Sequence, residues 1–220
     1  MREITLDARL ARAFEMVPEC RVCADIGADH GFLSAQLLMS SRVQRMHICD
    51  ISAPSLDKAR RLFAGDALES RAVFGVGDGL APVDEPLDAC VISGMGGETI
   101  VHILENCPWR RQVHLILQPM TKIPDLRLWL AQQGFGWSEQ VVQEGEKFYV
   151  ILSARHTGTV RILSPLEQEI GCVDWQSESV RRYAGWKQQR FQKLAQQLEQ
   201  AGRAEAADWA ALAQAIQEKL

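Results

Sequence analysis

The sequence predicts an α/β fold built on a mostly parallel sheet whose strands alternate with helices. Three observations lead to this expectation. Short apolar runs alternate with segments of helical periodicity between residues 20 and 133. Glycine-containing turns follow several of these runs. Two runs of alternating polarity, 138–143 and 147–152, flank Glu144-Gly145-Glu146 and predict an antiparallel hairpin at the sheet edge.

The first strand and turn carry the clearest signal. Residues 22–34 read VCADIGADHGFLS, a strand, a tight turn and a helix start. Parallel sheets bind nucleotide-like ligands at such strand ends. The spacing D-x-G-x-D-x-G differs from G-x-G-x-x-G because Asp29 replaces a glycine. A carboxylate there repels a pyrophosphate and suits a ligand with an amine and a positive sulfur, so S-adenosyl-L-methionine is favoured over NAD. The expected cofactor contacts in this turn are Asp25, Ile26, Gly27, Ala28, Asp29 and His30.

Three later strands end at the same edge of the sheet and carry further candidate cofactor contacts. Asp50 closes the second strand (45–49), where an acidic residue typically binds ribose hydroxyls, although a plain strand-end carboxylate is the alternative. After the third strand (71–76), Asp78 between two glycines is placed to meet an adenine ring or forms an ordinary turn. The fourth strand (88–92) leads into the glycine-rich stretch 93–97, which indicates close backbone approach or positive φ, with a structural tight turn as the alternative. The further expected cofactor contacts are Asp50, Ile51, Gly77, Asp78, Gly79, Ser93, Gly94 and Met95.

A fifth strand (114–117) and the hairpin bring the sheet to seven strands, which is the class I Rossmann-like methyltransferase architecture. Beyond residue 158 the pattern changes to helical periodicity interrupted at Gly202, and this predicts a helical hairpin with coiled-coil packing. We therefore expect two domains, a methyltransferase domain at 1–158 and a helical tail at 159–220. The first tail helix is basic, and solvated surface and RNA binding explain that equally well.

Composition limits the other classes of function. The 220 residues have room for one α/β domain of about 150 residues plus an appendage. The net charge of −4 gives no general attraction to nucleic acid, so an RNA partner needs a local basic face. The charged start and the lack of a long apolar run predict a cytoplasmic protein with no membrane partner. Cys20 and Cys23 form the single C-x-x-C, without a second pair to complete a zinc site, so we expect buried thiols and no metal.

Together the motifs resemble the TrmK-type bacterial tRNA (adenine-N1)-methyltransferases, which modify adenine 22. The matching stretches are DIGADHGFLS (25–34), GDGL (77–80), SGMGGETI (93–100), LILQP (115–119), LRLWL (126–130) and GEKFYVIL (145–152). The helical tail resembles that family's C-terminal coiled coil more loosely. The resemblance implies methyl transfer from S-adenosyl-L-methionine to N1 of an adenine in the D-arm of tRNA.

The chemistry of that reaction suggests residue roles. Adenine N1 has a free lone pair, so the enzyme needs mainly in-line positioning and stabilisation of the positive charge that moves onto the base. The expected catalytic groups are Asp29, His30 and the backbone of Ser93, Gly94, Met95 and Gly96. Because N1 lies on the Watson–Crick edge, the base must leave any pairing. The expected substrate contacts are Arg9, Gln118, Arg127, Lys147 and Tyr149.

Two other functions stay open at this stage. The first alternative is a methyltransferase of another acceptor, with a tail that serves only dimerisation. The second is a non-catalytic module that binds S-adenosyl-L-methionine or RNA. Activity without RNA would favour the first alternative, and ligand binding without any transfer would favour the second. We expect a monomer or a weak dimer.

Overall fold

A computed structural model describes residues 4–220 of the chain. Within that range seven strands form one sheet in the order β3-β2-β1-β4-β5-β7-β6. Strands β1 to β5 are parallel, and β7 runs antiparallel to both β5 and β6. The strands are β1 Cys20–Ile26, β2 Val43–Asp50, β3 Ala72–Val76, β4 Ala89–Gly96, β5 His114–Thr121, β6 Phe135–Glu144 and β7 Lys147–His156. The predicted seven-stranded α/β fold is confirmed.

Eight α-helices accompany the sheet in the described residues. They are α1 Ala8–Met16, α2 Phe32–Met39, α3 Ala53–Phe63, α4 Gly97–Glu105, α5 Ile123–Gln132, α6 Pro165–Glu169, α7 Glu178–Gln200 and α8 Ala206–Gln217. The Asp7 side chain accepts a 2.7 Å hydrogen bond from the Leu10 amide and so caps α1. Ser52 caps α3, as its position before Ala53-Pro54 suggests. These caps fix where two helices beside the sheet edge begin.

Several boundaries differ from those that the sequence suggests, and the end of β5 and the start of the tail helices are two clear cases. Strand β5 continues through Gln118 and Pro119 to Thr121 because β4 extends to Gly96 and pairs with it through an irregular register. Pairing across the sheet here overrides the local tendency of proline to end a strand. In the tail, the helix that opens at Ser164 is only α6, and the long helix α7 starts at Glu178.

The central strands are buried on both faces. Val22, Ala24 and Ile26 of β1 belong to one hydrophobic cluster, whereas Cys23 belongs to the other, because successive strand residues point to opposite sides. Helices α1 to α3 cover one face, while α4, α5 and the tail cover the other. The strand ends between these two layers hold the predicted site.

The tail shares a hydrophobic core with the sheet. Tyr183, Phe191 and Ile216 lie in the cluster that contains Leu117 and Phe135. Helices α7 and α8 pack against each other as the predicted helical hairpin. The division at residue 158 and the coiled-coil geometry stay predictions.

The cysteines form no disulfide in the described residues. All six are free thiols, and Cys23, Cys49, Cys90 and Cys107 are buried. Among residues 4–220 there is no group of three or more His, Cys, Asp or Glu side chains placed to hold a metal ion. In the same range, no helix has the length and apolar character needed to span a membrane.

Candidate active site

The turn after β1 requires glycine at position 27. Gly27 has a φ of +75°, and a Cβ there would lie 2.4 Å from Cε of Met95. The amides of Gly27 and Ala28 donate to the carbonyl of Cys49 at 2.8 and 3.1 Å. The turn is therefore held against the end of β2 while its outer side stays accessible to a ligand.

Asp50 braces this turn from the neighbouring strand. One of its carboxylate oxygens accepts a 3.1 Å hydrogen bond from the amide of Asp29, and the other accepts from the amide of Ser52 at 2.8 Å. Asp29 itself has a φ of +44°, an uncommon conformation for a residue with a side chain. The interaction with Asp50 helps to hold that strained turn in place.

Asp29 and His30 lie at the mouth of the site and contact each other. Nδ1 of His30 is 2.6 Å from Oδ2 of Asp29, and Nζ of Lys58 is 3.5 Å from Oδ1. Partial burial raises the pKa of Asp29, but the hydrogen bond with His30 and the charges of His30 and Lys58 outweigh it and lower the pKa overall. Asp29 is therefore an anion at neutral pH.

Asp25 lies deeper, at the end of β1, and is only 4% exposed. Ser34 Oγ donates a 2.7 Å hydrogen bond to its carboxylate. Desolvation raises the pKa of Asp25 to about 6 despite this bond. A buried carboxylate with this pKa favours a cationic ligand group beside it.

Arg9 reaches the site from α1 and joins two strand ends. Its Nη1 donates to Oγ of Ser93 at 2.9 Å and to Oε1 of Gln118 at 2.8 Å. The same Gln118 oxygen accepts from the amide of Gly94 at 3.0 Å. These bonds set the glycine-rich loop after β4 relative to α1.

These elements enclose a cavity of about 280 Å³. It is lined by Arg9, Leu10, Asp25, Gly27, Ala28, Asp29, His30, Phe32, Leu33, Ser93 and Gly94. The structure thus brings together most of the residues expected from the β1 turn with the first two of the β4 loop. Met95 packs against the turn, and its Cε occupies the space that a Cβ on Gly27 would need.

Other expected cofactor contacts lie elsewhere along the sheet edge. Asp78 and Gly79 line a second cavity, of about 410 Å³, together with His102 and Ile103. Ile51 is 72% exposed next to Asp50. Cofactor contacts by these residues stay predictions, as does a contact by Gly77.

Two of the expected substrate residues are buried and bonded inside the protein, away from the surface where a substrate would arrive. Arg127 is fully buried and forms an ion pair with Glu139, so it is inaccessible to a phosphate. Gln118 is also fully buried, and its amide bonds Arg9, Gly94 and the carbonyl of Pro119, which prevents it from reading a base edge. Both polar side chains found partners inside the protein instead.

The other substrate residues lie near the surface. The guanidinium of Arg9 is 6.0 Å from the ring centre of Tyr149. Lys147 is exposed at the start of β7. Sequence reasoning missed the bonds that join Arg9 to Ser93 and Gln118, because these partners lie 84 and 109 positions away.

Known proteins with sequences similar to this chain are methyltransferases. Residues 6–152 match the methyltransferase domain family. The tRNA (adenine(22)-N(1))-methyltransferase of Bacillus subtilis is 32% identical over 158 residues, which cover 70% of this chain and 66% of that protein. The match thus spans slightly less than two thirds of the relative.

Solved structures resemble the chain over nearly its whole length. The m1A22 tRNA methyltransferase TrmK of B. subtilis superposes with a TM-score of 0.86 at 25% identity and covers 97% of this chain and 99% of its own. Sp1610 of Streptococcus pneumoniae, solved in complex with S-adenosyl-L-methionine, gives 0.82 at 27% identity and covers 98% and 100%. The chain therefore belongs to the methyltransferase domain family, and it is similar to the TrmK-type proteins over nearly its whole length.

Proposed function

We propose that this protein transfers a methyl group from S-adenosyl-L-methionine to N1 of adenine 22 in tRNA. The observation that carries the proposal is the 280 Å³ cavity, in which the β1 turn meets the loop after β4 and which Asp25, Asp29 and Arg9 line together. The B. subtilis relative carries the name of this activity, and the Sp1610 structure contains this cofactor.

The cavity suits the methionine end of the cofactor. Asp25 and Asp29 complement an ammonium and a sulfonium, and Arg9 complements a carboxylate. Gly27 leaves room where a Cβ would meet Met95, which permits close approach to the backbone. When bound, the cofactor supplies an electrophilic methyl group. We assign ribose binding to Asp50 and adenine contacts to Ile51 and to the loop at Gly77, Asp78 and Gly79.

The target base needs little proton chemistry. N1 attacks through its own lone pair, so the protein contributes position and charge. The Asp29 carboxylate, ionised at neutral pH, stabilises the positive charge that develops on the base, and His30 orients that carboxylate. The backbone of Ser93, Gly94, Met95 and Gly96 positions the reacting atoms. Tyr149 and Lys147 line the entrance for the flipped base.

The two regions divide the work in this proposal. Residues 1–158 hold the cofactor and the target base, while residues 159–220 contribute to holding the tRNA. The protein works as a monomer or a weak dimer in the cytoplasm.

Methyl transfer to an unmodified tRNA transcript tests the function. Labelled S-adenosyl-L-methionine is the donor, and mass spectrometry identifies the product nucleoside. We expect 1-methyladenosine, and its loss when adenine 22 is replaced by guanine. Transfer to a small molecule or protein but not to tRNA would contradict the proposal, and so would cofactor binding with no transfer.

A variant pair then tests the site. Asp29→Asn removes the charge at the cavity mouth and is expected to lower kcat by one to two orders of magnitude. Asp57→Asn changes an exposed aspartate on α3, 4.0 Å from Arg60, and is expected to leave kcat unchanged. Equal activity in both variants would exclude Asp29 from the reaction.

A further inference from the structure

A larger cleft lies between the end of β5 and the tail helix α7. Its volume is about 670 Å³, more than twice that of the cavity at the β1 turn. Met120 and Lys122 form one side, and Trp186, Arg190, Lys193 and Gln197 form the other. The four α7 residues recur at intervals of three or four, so they share one face of the helix.

The cleft is basic in an otherwise acidic protein. Its lining contains four lysine or arginine side chains and one acid, Glu169. That acid is occupied, because Nζ of Lys187 lies 2.9 Å from its carboxylate. Lys122 is 3.7 Å from Glu98 and 3.6 Å from Asp125, two acids outside the lining. Arg190 and Lys193 are exposed on α7, so the cleft presents positive charge to a ligand.

An exposed aromatic ring accompanies these charges. Trp186 is 37% exposed, although most large aromatic side chains here are more buried. Tyr183 stacks on it at 6.1 Å between ring centres with planes 23° apart, and Phe148 supports it at 5.7 Å. The guanidinium of Arg190 lies 4.8 Å from the Trp186 ring centre. A supported ring beside cations is the arrangement on which single-stranded nucleic acids stack their bases.

The cleft also lies next to the loop that lines the proposed cofactor cavity. Thr121 of β5 pairs in register with Gly96 at the end of β4, and Thr121 lines the cleft. Gly96 belongs to the loop whose first residues, Ser93 and Gly94, line the cofactor cavity. One RNA strand can therefore reach both places.

We propose that this cleft binds an unpaired nucleotide of the RNA substrate, distinct from the target adenine. Its base stacks on Trp186, and its flanking phosphates contact Arg190 and Lys193. The inference rests on the proposed function for the identity of the RNA but concerns a separate surface.

Equilibrium binding of unmodified tRNA to the full chain tests this, with methyl transfer measured in parallel. Trp186→Ala is expected to weaken tRNA binding and raise the KM for tRNA about tenfold, the usual effect of losing one stacked base. Trp186→Phe keeps an aromatic face and should retain most of the affinity. Affinity for S-adenosyl-L-methionine should not change in either variant.

Charge reversal gives a matched comparison. Lys193→Glu in the cleft should weaken tRNA binding and reduce its salt dependence. Arg61→Glu makes the same change at an exposed position on α3, on the other side of the sheet, and should have little effect. Thermal melts of all variants identify any that fail to fold, and Trp186→Phe and Lys193→Glu keep the test valid if Trp186→Ala unfolds.

The outcomes separate the two proposals. If the wild-type chain binds tRNA but transfers no methyl group, the proposed function fails, and the Trp186 dependence of binding still tests the cleft. If Trp186→Ala and Lys193→Glu bind tRNA as tightly as wild type, the cleft proposal is overturned while methyl transfer stands. A Trp186→Ala variant that changes oligomeric state instead of tRNA affinity would overturn it in favour of a second copy of this chain.

Discussion

Arg9 donates a 2.8 Å hydrogen bond to the side-chain oxygen of Gln118, which is completely buried. The bond joins α1 to the end of β5, and the same guanidinium nitrogen also reaches Ser93. Arg9 is 20% exposed and lines the proposed cofactor cavity. Its place over the cavity therefore depends on two strand ends far away in sequence.

Replacing Arg9 with lysine tests this arrangement. A lysine keeps the charge but lacks the planar guanidinium. In Arg9, Nη1 bonds Ser93 and Gln118, while Nη2 lies 3.4 Å from the Asp7 carboxylate. Loss of a bond to a charged group costs about 1.5–3 kcal/mol, so we expect affinity for S-adenosyl-L-methionine to fall roughly tenfold or more. Isothermal titration calorimetry measures this directly.

Arg12→Lys is the control on the same helix. Arg12 is exposed and pairs with Glu15 at 2.6 Å, away from the cavity. We expect this variant to bind the cofactor like wild type. Equal affinity in the Arg9→Lys and Arg12→Lys variants would show that the Arg9 network does not shape the site.

Asp25 makes the stability of the ligand-free protein depend on pH. Its pKa is about 6 in the folded state, against 3.8 for an ordinary aspartate, because burial disfavours the charged form. The folded protein therefore binds this proton more tightly than the unfolded chain. Its contribution to stability is present below about pH 4, declines as pH rises to about 6, and is absent above, a change of about 3 kcal/mol.

Denaturation at several pH values measures this contribution. Asp25→Asn should lack the decline in stability between pH 4 and 6, while Asp57→Asn, an exposed change, should keep it.

Affinity for the cofactor should follow the opposite trend in the wild-type protein. It weakens below about pH 6 because a protonated Asp25 no longer complements a cationic ligand. Affinity that is constant from pH 5 to 8 would contradict a contact between Asp25 and the cofactor.

Gly27→Ala tests the turn itself. Alanine at a φ of +75° is strained by about 1–2 kcal/mol, and its Cβ would lie 2.4 Å from Cε of Met95. We expect lower stability and a loss of cofactor affinity of tenfold or more. Gly145→Ala is the matched control, since Gly145 has a φ of +58° and open space around it. The Gly145→Ala variant should lose stability through backbone strain but keep its affinity for the cofactor.

Local patterns explain why the strand ends were predictable and the buried polar residues were not. Asp25, Gly27 and Asp29 lie within one short motif whose spacing already dictates a turn. The sequence instead predicts substrate contacts for Arg127 and Gln118. Their burial depends on partners from other elements, and no local spacing encodes those partners. For Arg127, the surrounding apolar sequence LRLWL is a signal of burial that the substrate prediction did not use.

The Arg127–Glu139 pair joins the sheet to the tail. Nε and Nη2 of Arg127 bond both carboxylate oxygens of Glu139, with a shortest distance of 2.6 Å, and both side chains are fully buried. The guanidinium also donates to the carbonyls of Gln168 at 2.8 Å and Ile170 at 3.0 Å. One charged pair thus holds α5, β6 and the start of the tail together.

Urea denaturation of a double-mutant cycle measures what this pair contributes. Arg127→Met leaves the Glu139 carboxylate buried without its charge partner and should cost about 3–5 kcal/mol, as should Glu139→Leu. The double variant should cost much less than the sum, because no uncompensated charge remains. The matched exposed pair, Arg182 and Glu178 at 2.6 Å, should show a coupling of about 0.5 kcal/mol or less. Additive single costs at Arg127 and Glu139 would mean that each acts through its packing or its other hydrogen bonds, rather than through the ion pair.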